Sequence, residues 1–306
     1  MDLVRGLGRL RERHRGGVVT IGTFDGLHVG HRALIDAALA AAARGSCPAV
    51  MVSFEPMPRE VLHPQAPPCR LTSFRERWRL LERSGLDLLV LLRFTPALRV
   101  KTGEEFLQWL RDALHFSGVV VGYDFRFGRH GESDATSLEA AGRRLGFEVH
   151  VVPPVLIAGE RASSTAVREA LGRDDFAAAA ALLGRPFSMR GRVARGAQLG
   201  RTLGFPTANL RLRRRRAPLG GIFAVRVHGA GLTGWPGVAS LGTRPTVDGV
   251  EPWLETHLFD FAADLYGQEI EVEFVAKLRD EQKFESLDAL VEQMHVDAAA
   301  ARAALN

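Results

Sequence analysis

The sequence predicts two domains, an α/β domain with an open, doubly wound parallel sheet followed by a small antiparallel β-barrel with a terminal helix. In the first half, short apolar runs alternate with segments of helical periodicity, whereas in the second half apolar residues recur mostly at every second position. The segment Gly-Arg-Pro at residues 184–186 breaks the chain between the two patterns. The 306 residues are enough for two domains, and we place them at residues 1–183 and 184–306.

The first half contains five predicted strands in regular alternation with helices. A strand at 18–22, a helix from about His31 to Ala43 and a strand at 49–54 have together the size of one βαβ unit. A further helix is predicted to begin after Thr102, because Glu105 three residues later completes a capping box. The remaining predicted elements are helices at 74–83, 137–145 and 174–183 and strands at 86–92, 119–121 and 148–152. This alternation favours a parallel sheet that binds ligands at the carboxyl ends of its strands.

The second half has the pattern of antiparallel strands. In residues 270–276, apolar side chains alternate with two glutamates, so the two sets face opposite sides of a strand. Turn clusters at 229–231 and 247–249 separate the predicted strands. The last element is a helix with Ser286 as its N-cap. Its predicted apolar stripe consists of Leu287, Leu290, Val291 and Met294.

Composition excludes several classes of protein. The two cysteines, Cys47 and Cys69, rule out a disulfide scaffold and a four-cysteine zinc site, and they are typical of a reducing cytoplasm. No apolar run approaches the ~20 residues needed to span a bilayer, so we expect no membrane partner. The net charge is +5, and almost all of the positively charged residues are arginines. Their one local cluster, at residues 211–216, is either a solvated loop or a contact for phosphate or nucleic acid.

The segment Gly-Thr-Phe-Asp-Gly-Leu-His-Val-Gly-His at residues 22–31 is the first candidate site. It lies where a predicted strand ends and a helix begins, and a helix N-terminus offers N–H groups to an anion. His28 and His31 project from the same side of the first helical turn, where they donate hydrogen bonds to phosphate and carry charge when protonated. A phosphate site is therefore favoured. A metal pair, which lacks a nearby third ligand, and a plain helix-capping turn remain open.

A glycine-rich segment at residues 191–209 is the second candidate site. It is not a Walker A loop, because it contains no lysine. Thr207 and Asn209 are oxygen donors two residues apart, so on an extended segment they point the same way, and such hard oxygens suit Mg²⁺. The alternative is a glycine-rich turn with a structural Pro206. Glycines 191, 196, 200 and 204 suggest a backbone that lies against a ligand.

The first candidate site resembles the HxGH signature of the nucleotidyltransferase superfamily, in the form found in the FMN adenylyltransferase domain of bacterial bifunctional riboflavin kinase/FAD synthetases. The segments at 121–128 (VGYDFRFG) and 163–168 (SSTAVR) also resemble that domain. The resemblance implies a Rossmann-like α/β nucleotidyltransferase fold in which His28 and His31 are catalytic. It implies that ATP and its phosphates are bound by Gly22, Phe24, Asp25, Gly30, Ser164, Thr165 and Arg168. The implied flavin-binding residues are Asp124 and Phe125.

The second half resembles riboflavin kinases at four segments in the family's order. They are GFPTAN at 204–209, GVASLGTRPT at 237–246, LETHLFD at 254–260 and KLRDEQKF at 277–284. The resemblance implies that Glu255 is the general base and that Thr207 and Asn209 bind Mg²⁺. An outward-facing structural glutamate is the alternative for Glu255. The residues implied to bind ATP or flavin are Gly191, Gly196, Gly204, Phe205 and Arg279.

The resemblance implies two reactions on small molecules. Riboflavin is phosphorylated by ATP to FMN, and FMN is then adenylylated by a second ATP to FAD with release of pyrophosphate. We expect a cytoplasmic enzyme that acts as a monomer or weak homo-oligomer and uses Mg²⁺, with no nucleic-acid partner. Two other functions remain open. One is a monofunctional adenylyltransferase with a regulatory flavin-binding barrel, and the other is a nucleic-acid-binding protein that uses the arginine cluster.

Overall fold

The computed structural model describes residues 1–196, 200, 203–212, 214, 216–246 and 249–306, with only the backbone described at 244–246 and 249–251. Contacts between residues divide the chain into two compact units. The first comprises Met1–Pro68 and Arg77–Ser163, and the second comprises Cys69–Glu76 and Ser164–Asn306. Residues 164–183 thus group with the second unit, whereas the sequence pattern placed them in the first domain. That the two predicted activities divide between residues 1–183 and 184–306 stays a prediction.

The first unit is built on a six-stranded sheet. In chain order its strands are Asp2–Arg5 (β1), Val18–Ile21 (β2), Ala49–Phe54 (β3), Leu88–Leu92 (β4), Gly118–Gly122 (β5) and Glu148–Val152 (β6). They lie side by side in the order β1-β4-β3-β2-β5-β6, and all neighbouring pairs are parallel. This confirms the predicted parallel sheet. The sequence pattern missed β1, because a four-residue strand beside charged residues is too short to show a periodicity.

Helices and short turns complete the first unit. The helices are Val29–Arg44 (α1), Pro58–Leu62 (α2), Phe74–Glu82 (α3, which belongs to this unit from Arg77 onward), Pro96–Arg99 (α4), Gly103–Leu114 (α5) and Ala135–Leu145 (α6). The chain also forms 3₁₀ turns at Leu7–Arg9, Glu12–His14 and Arg129–Gly131, and a hairpin of Leu156–Ile157 (β7) and Glu160–Arg161 (β8). The predicted capping box of α5 is present. Thr102 Oγ1 accepts from the Glu105 N–H at 3.2 Å, and the Glu105 carboxylate accepts from the Thr102 N–H at 2.8 Å.

The sheet brings the ends of its central strands to one edge. Val19, Val50 and Val90, in three central strands, have no exposed surface, as expected for parallel strands covered on both faces. Strands β2 and β5 are parallel neighbours. The turn that follows β2 and the segment that follows β5 therefore lie at the same edge, where sheets of this kind bind ligands.

The second unit contains a closed six-stranded antiparallel barrel, as predicted. Its strands are Ser188–Ala194 (β9), Ala208–Arg211 (β10), Gly221–Gly229 (β11), Leu232–Thr246 (β12), Gly249–Leu258 (β13) and Glu269–Arg279 (β14). Their order around the barrel is β10-β13-β12-β11-β14-β9. The predicted alternation in β14 is confirmed, because Ile270, Val272 and Phe274 are buried while the intervening glutamates are half-buried.

Among the described residues of the second unit, helices lie beside the barrel strands in sequence at Ser164–Gly172 (α7), Phe176–Leu183 (α8) and Leu287–Leu305 (α9). The predicted N-cap of α9 is confirmed, since Ser286 Oγ accepts from the Ala289 N–H at 3.1 Å. The predicted apolar stripe is wrong at Leu287, which is 57% exposed. The helix packs through its C-terminal half instead, where Ala301 and Leu305 join a buried cluster.

Among the described arginines of the cluster at 211–216, Arg214 is buried. Arg214 donates from Nη2 to both carboxylate oxygens of Glu76, at 2.9 and 2.7 Å, and from Nη1 to the Arg70 carbonyl at 3.2 Å. Arg214 is therefore neither solvated nor open to a polyanion, contrary to both readings of the sequence. Arg213 and Arg215 lie outside the described residues, as do Val247 and Asp248 of the predicted turn.

Candidate functional site

The turn after β2 has the backbone that a tight ligand-binding loop requires. Phe24, Gly26 and Leu27 all have positive φ angles, of 53°, 79° and 44°. Helix α1 then begins with His28 as its N-cap, whose Nδ1 accepts from the His31 N–H at 3.3 Å. A Cβ at Gly30 would lie 3.1 Å from both the Ala162 carbonyl and His28 Nδ1, so this position has little room for a side chain.

The two histidines form one stacked pair. Their ring centroids are 3.6 Å apart with an interplanar angle of 23°. Because His28 Nδ1 accepts a hydrogen bond, its proton is on Nε2. Burial, together with the neighbouring His28 and the Arg77 guanidinium, holds the pKa of His31 well below its usual range. This shift favours the neutral form of the His31 ring in the free protein.

Two buried ionisable side chains lie in or beside this turn. Asp25 is 2% exposed, within the turn itself. Arg77, on α3, is 1% exposed and donates to the Thr23 carbonyl at 2.6 Å and to the Glu55 carboxylate at 3.1 Å. Sequence reasoning identified Asp25 but missed Arg77. The available signal was weak, because the two other arginines of α3, Arg75 and Arg79, are exposed.

The predicted flavin-binding residues follow β5. The Asp124 carboxylate accepts from Arg161 Nη1 at 2.9 Å, and the same Nη1 donates to the Tyr123 hydroxyl at 2.6 Å. These contacts, led by the Tyr123 hydrogen bond, raise the pKa of Arg161. The half-buried ring of Phe125 stacks on Phe127 with centroids 5.3 Å apart. Arg161 is a further residue that the sequence reasoning did not single out.

The predicted triphosphate residues of the SSTAVR segment lie in the second unit. Ser164 and Thr165 open α7, and Arg168 lies one turn further along it. Arg168 donates from Nε to the Cys69 carbonyl at 2.7 Å and from Nη1 to the Ser164 carbonyl at 3.0 Å. The guanidinium is therefore held by backbone carbonyls on two segments. Its contact with phosphate stays a prediction.

A cavity of about 470 Å³ lies at the barrel surface. It brings together five residues that the sequence predicted as functional, Phe205, Thr207, Asn209, Glu255 and Arg279. Ligand binding by the predicted glycines stays a prediction, but the structure shows why glycine stands at these positions. A Cβ on Gly196 would lie 2.7 Å from the Asn209 side chain, and one on Gly191 would lie 3.2 Å from Leu210. Gly204 has a φ of 83°, a conformation that favours glycine.

The register of the barrel places Glu255 beside the predicted metal ligands. On β13, Glu255 lies opposite Asn209 of β10 and opposite Ser240 of β12. The flanking residues Leu254 and Thr256 have no exposed surface, whereas Glu255 is half-buried and lines the cavity. Glu255 therefore faces away from the barrel core, as expected also for a structural glutamate. Its side chain, however, lines a cavity rather than facing bulk solvent.

Thr207 and Asn209 lie close enough to contact each other. Asn209 Nδ2 is 3.3 Å from Thr207 Oγ1 and donates to the Thr207 carbonyl at 3.1 Å. The Trp253 indole N–H donates to Asn209 Oδ1 at 2.9 Å, and His257 Nδ1 donates to the Pro206 carbonyl at 2.9 Å. Among the described residues, no three His, Cys, Asp or Glu side chains form a metal cluster. The oxygens of Thr207 and Asn209 fit Mg²⁺, which commonly takes its remaining ligands from water and substrate phosphates.

A second cavity, of about 440 Å³, also contains Thr207 and Asn209 in its lining. Arg195, Asp264 and Tyr266 also line it, with the Arg195 guanidinium 5.5 Å from the centre of the Tyr266 ring. The two oxygen donors therefore stand between two cavities. This arrangement suits a reaction in which two substrates meet.

Comparison with known proteins gives two domain matches and full-length relatives. The FAD synthetase family matches residues 10–166, and the riboflavin kinase family matches residues 183–305. A bifunctional riboflavin kinase/FMN adenylyltransferase of Escherichia coli strain K12 is 44% identical over 99% of this chain and 97% of its own. The protein of the same name from Pseudomonas fluorescens is 46% identical over 99% and 97%.

A solved structure also matches the whole chain. It is named a macrolide-efflux protein from Streptococcus pneumoniae, is 33% identical, covers 99% of both chains and gives a TM-score of 0.83. Its name refers to efflux, but in the described part of this chain no helix is long and apolar enough to cross a membrane. The two domain matches and the full-length relatives show that the chain belongs to the bifunctional riboflavin kinase/FMN adenylyltransferase family.

Proposed function

We propose that this chain carries out the two reactions of its family with two separate sets of residues. Riboflavin is phosphorylated to FMN by ATP, and FMN is adenylylated to FAD by a second ATP. The observation that carries the first assignment is that Thr207, Asn209 and Glu255 line one cavity of the second unit. The stacked pair of His28 and His31 supports the second assignment.

In the kinase reaction, Glu255 takes the proton from the 5′-hydroxyl of riboflavin as it attacks the γ-phosphate of ATP. A hydroxyl is a weak nucleophile, and a positioned carboxylate assists its deprotonation. Thr207 and Asn209 would hold Mg²⁺, which neutralises charge on the transferring phosphoryl group when bound. The Trp253 indole keeps the Asn209 side chain oriented, because it donates to Oδ1 at 2.9 Å.

The two cavities suggest how the kinase substrates are arranged. The larger is lined by apolar side chains such as Leu203, Val238 and Met294, which suit the flat ring system of a flavin. The smaller contains Arg195 and Tyr266 and suits a nucleotide. Because both cavities include Thr207 and Asn209, the flavin hydroxyl and the ATP phosphates would meet beside these residues and Glu255.

In the adenylyl transfer, the phosphate of FMN attacks the α-phosphate of ATP and pyrophosphate leaves. We assign no protein nucleophile. His28 and His31 donate N–H groups to the phosphates, and the turn formed by Gly22, Phe24, Asp25 and Gly30 brings its backbone close to them. Asp124 and Phe125 contact the flavin. Ser164, Thr165 and Arg168 are proposed as further phosphate-binding residues.

One assay tests the assignment. The pure protein is incubated with riboflavin, ATP and Mg²⁺, and the flavins are separated; both FMN and FAD are expected. FAD from supplied FMN without FMN from riboflavin would instead support the monofunctional adenylyltransferase with a regulatory barrel. We further propose that the enzyme acts in the cytoplasm on small molecules alone, as a monomer or weak homo-oligomer. The two unpaired cysteines are consistent with that compartment.

A further inference from the structure

A buried carboxylate on the terminal helix lines the kinase cavity and has no role in the reactions described above. Asp297 lies on α9, is 6% exposed and lines the same cavity as Glu255. Burying a carboxylate is costly unless the group is paired and hydrogen-bonded. Its partners therefore indicate what it is for.

The main partner of Asp297 is Arg279. Arg279 Nε donates to Asp297 Oδ1 at 2.9 Å, and Nη2 donates to Oδ2 at 2.7 Å. Gln293, one helical turn before Asp297, also donates to Oδ1 at 3.0 Å. Two parallel hydrogen bonds fix both the position and the plane of a guanidinium. The terminal helix therefore sets the orientation of Arg279.

Arg279 in turn begins a segment that lines the cavity. It is the last residue of β14, and its Nη1 donates to the Asp280 carbonyl at 2.9 Å while its guanidinium lies 5.7 Å from the centre of the Phe284 ring. Glu281, Gln282 and Phe284 line the cavity with it. These contacts leave one hydrogen on Nη1 and one on Nη2 without a partner among the described residues. Those hydrogens are available to a ligand in the cavity.

We propose that Asp297 is a positioning residue for riboflavin phosphorylation. It holds the Arg279 guanidinium in the plane in which the remaining Nη hydrogens bind a substrate, and it acts only through Arg279. This inference rests on the proposed placement of the kinase reaction in this cavity.

The test is Asp297→Asn, which keeps the size of the side chain but removes its charge and one acceptor oxygen. We expect the KM for riboflavin or ATP in the kinase reaction to rise about tenfold, as expected for the loss of a charge-assisted hydrogen bond to a substrate. The kcat should change less, and adenylylation of supplied FMN should stay at the parent rate. Asp297→Glu keeps the charge, so its KM should lie nearer to that of the parent.

A matched control breaks the other ion pair of the same helix. Arg302 donates from Nη1 to the Asp260 carboxylate at 2.9 Å, and neither residue lines the cavity. Arg302→Gln should shift the melting temperature at most and leave both kinase constants unchanged. A purely structural Asp297 would behave in the same way as this control, with a lower melting temperature and an unchanged KM per folded molecule.

A double variant tests whether Asp297 acts through Arg279. Arg279→Lys alone should raise the KM. Adding Asp297→Asn to this variant should raise the KM by a further factor of less than about two, because both substitutions disrupt the same pair of side chains. The inference would be overturned if the two substitutions raised the KM by independent factors that multiply in the double variant. An unchanged KM in Asp297→Asn would also overturn it, as would a KM in Asp297→Glu as high as that in Asp297→Asn. Glu255→Gln separates this failure from that of the site itself. If Glu255→Gln is inactive while Asp297→Asn is normal, the inference about Asp297 alone is wrong.

Discussion

At the residue scale, Glu255 is distinguished from other strand glutamates by what it faces. It is half-buried in a cavity and lies opposite Asn209, whereas Glu273 on β14 is paired with His228 at 3.1 Å and does not line the cavity. A general base needs a carboxylate that can reach the substrate, while a structural glutamate needs only a partner. The two residues therefore form a matched pair for testing the kinase assignment.

Glu255→Gln is expected to lower the rate of riboflavin phosphorylation by ~10²–10⁴-fold, because the amide cannot take the proton from the hydroxyl. Riboflavin binding, the melting temperature and FAD formation from supplied FMN should stay near those of the parent. Glu273→Gln serves as the control and should retain full kinase activity. A stable Glu255→Gln protein that phosphorylates riboflavin within a few-fold of the parent would show that another group is the base.

The stacked histidines lead to a second prediction at this scale. Replacing both His28 and His31 by alanine should abolish FAD formation, since transition-state contacts of this kind contribute roughly 3–4 kcal/mol each. FMN formation from riboflavin should survive. His150→Ala, at an exposed position of β6, is the control. Loss of both activities in a folded double variant would contradict the separation of the two sets of residues.

The lowered pKa of His31 predicts how stability depends on pH. The folded protein keeps His31 neutral, whereas the unfolded chain protonates this histidine below about pH 6.5. The unfolded state thus binds more protons below that pH, and stability falls with pH until the folded-state pKa is reached. Between about pH 7.5 and 5.5, the free energy of unfolding in urea should fall more in the parent than in His31→Asn, by at most about 1.4 kcal/mol per pH unit. Equal falls in the two proteins would contradict this cause.

At the scale of elements, helix α8 belongs with the barrel although the sequence pattern placed it before the boundary. The Phe176 ring packs edge-on against Phe223 of β11 with centroids 6.1 Å apart, and Phe176 is 9% exposed. Just before α8, Asp174 accepts from Lys277 Nζ at 3.0 Å. The contact with Phe223 buries the ring of Phe176, and a fragment that begins at residue 184 lacks this residue.

A fragment of residues 164–306 should therefore be more stable in urea than one of residues 184–306, by roughly 3–5 kcal/mol, the usual cost of removing a buried aromatic side chain. Both fragments should make FMN and neither should make FAD. Phe176→Ala in the longer fragment should reproduce most of the loss. If the two fragments unfold at the same urea concentration, α8 does not stabilise the barrel.

At the scale of the whole molecule, the two activities can be separated between chains. A mixture of the Glu255→Gln protein with the His28→Ala/His31→Ala protein should convert riboflavin to FAD. Alone, the first protein should make little FMN from riboflavin, and the second should make FMN but no FAD. The physical reason is that FMN is a small solute that diffuses from one chain to another. Parent protein at the same total concentration is the control. No FAD from the mixture, with both single activities confirmed, would show that FMN is passed only within one chain.

Local patterns in the sequence were enough to predict the sheet, the barrel and most of the candidate site. Strand and helix periods are properties of neighbouring residues, so the parallel sheet, the capping box at Thr102 and the alternation in β14 were predicted correctly. The family motifs added Phe205, Thr207, Asn209, Glu255 and Arg279, which the fold brings to one cavity. Their residue types and spacing are visible without any knowledge of packing.

Only the tertiary structure revealed the partners of these residues. Asp297 meets Arg279 from another element, Trp253 meets Asn209 across two paired strands, and Arg77 reaches the carbonyl of Thr23 from a distant helix. Pairings of this kind depend on how elements pack, and no local period encodes them. Packing also corrected the predicted apolar stripe, because it left Leu287 exposed, and it lowered the pKa of His31 through burial. The sequence determined which residue types stand at the candidate sites, and the packing decided which partners hold their side chains in place.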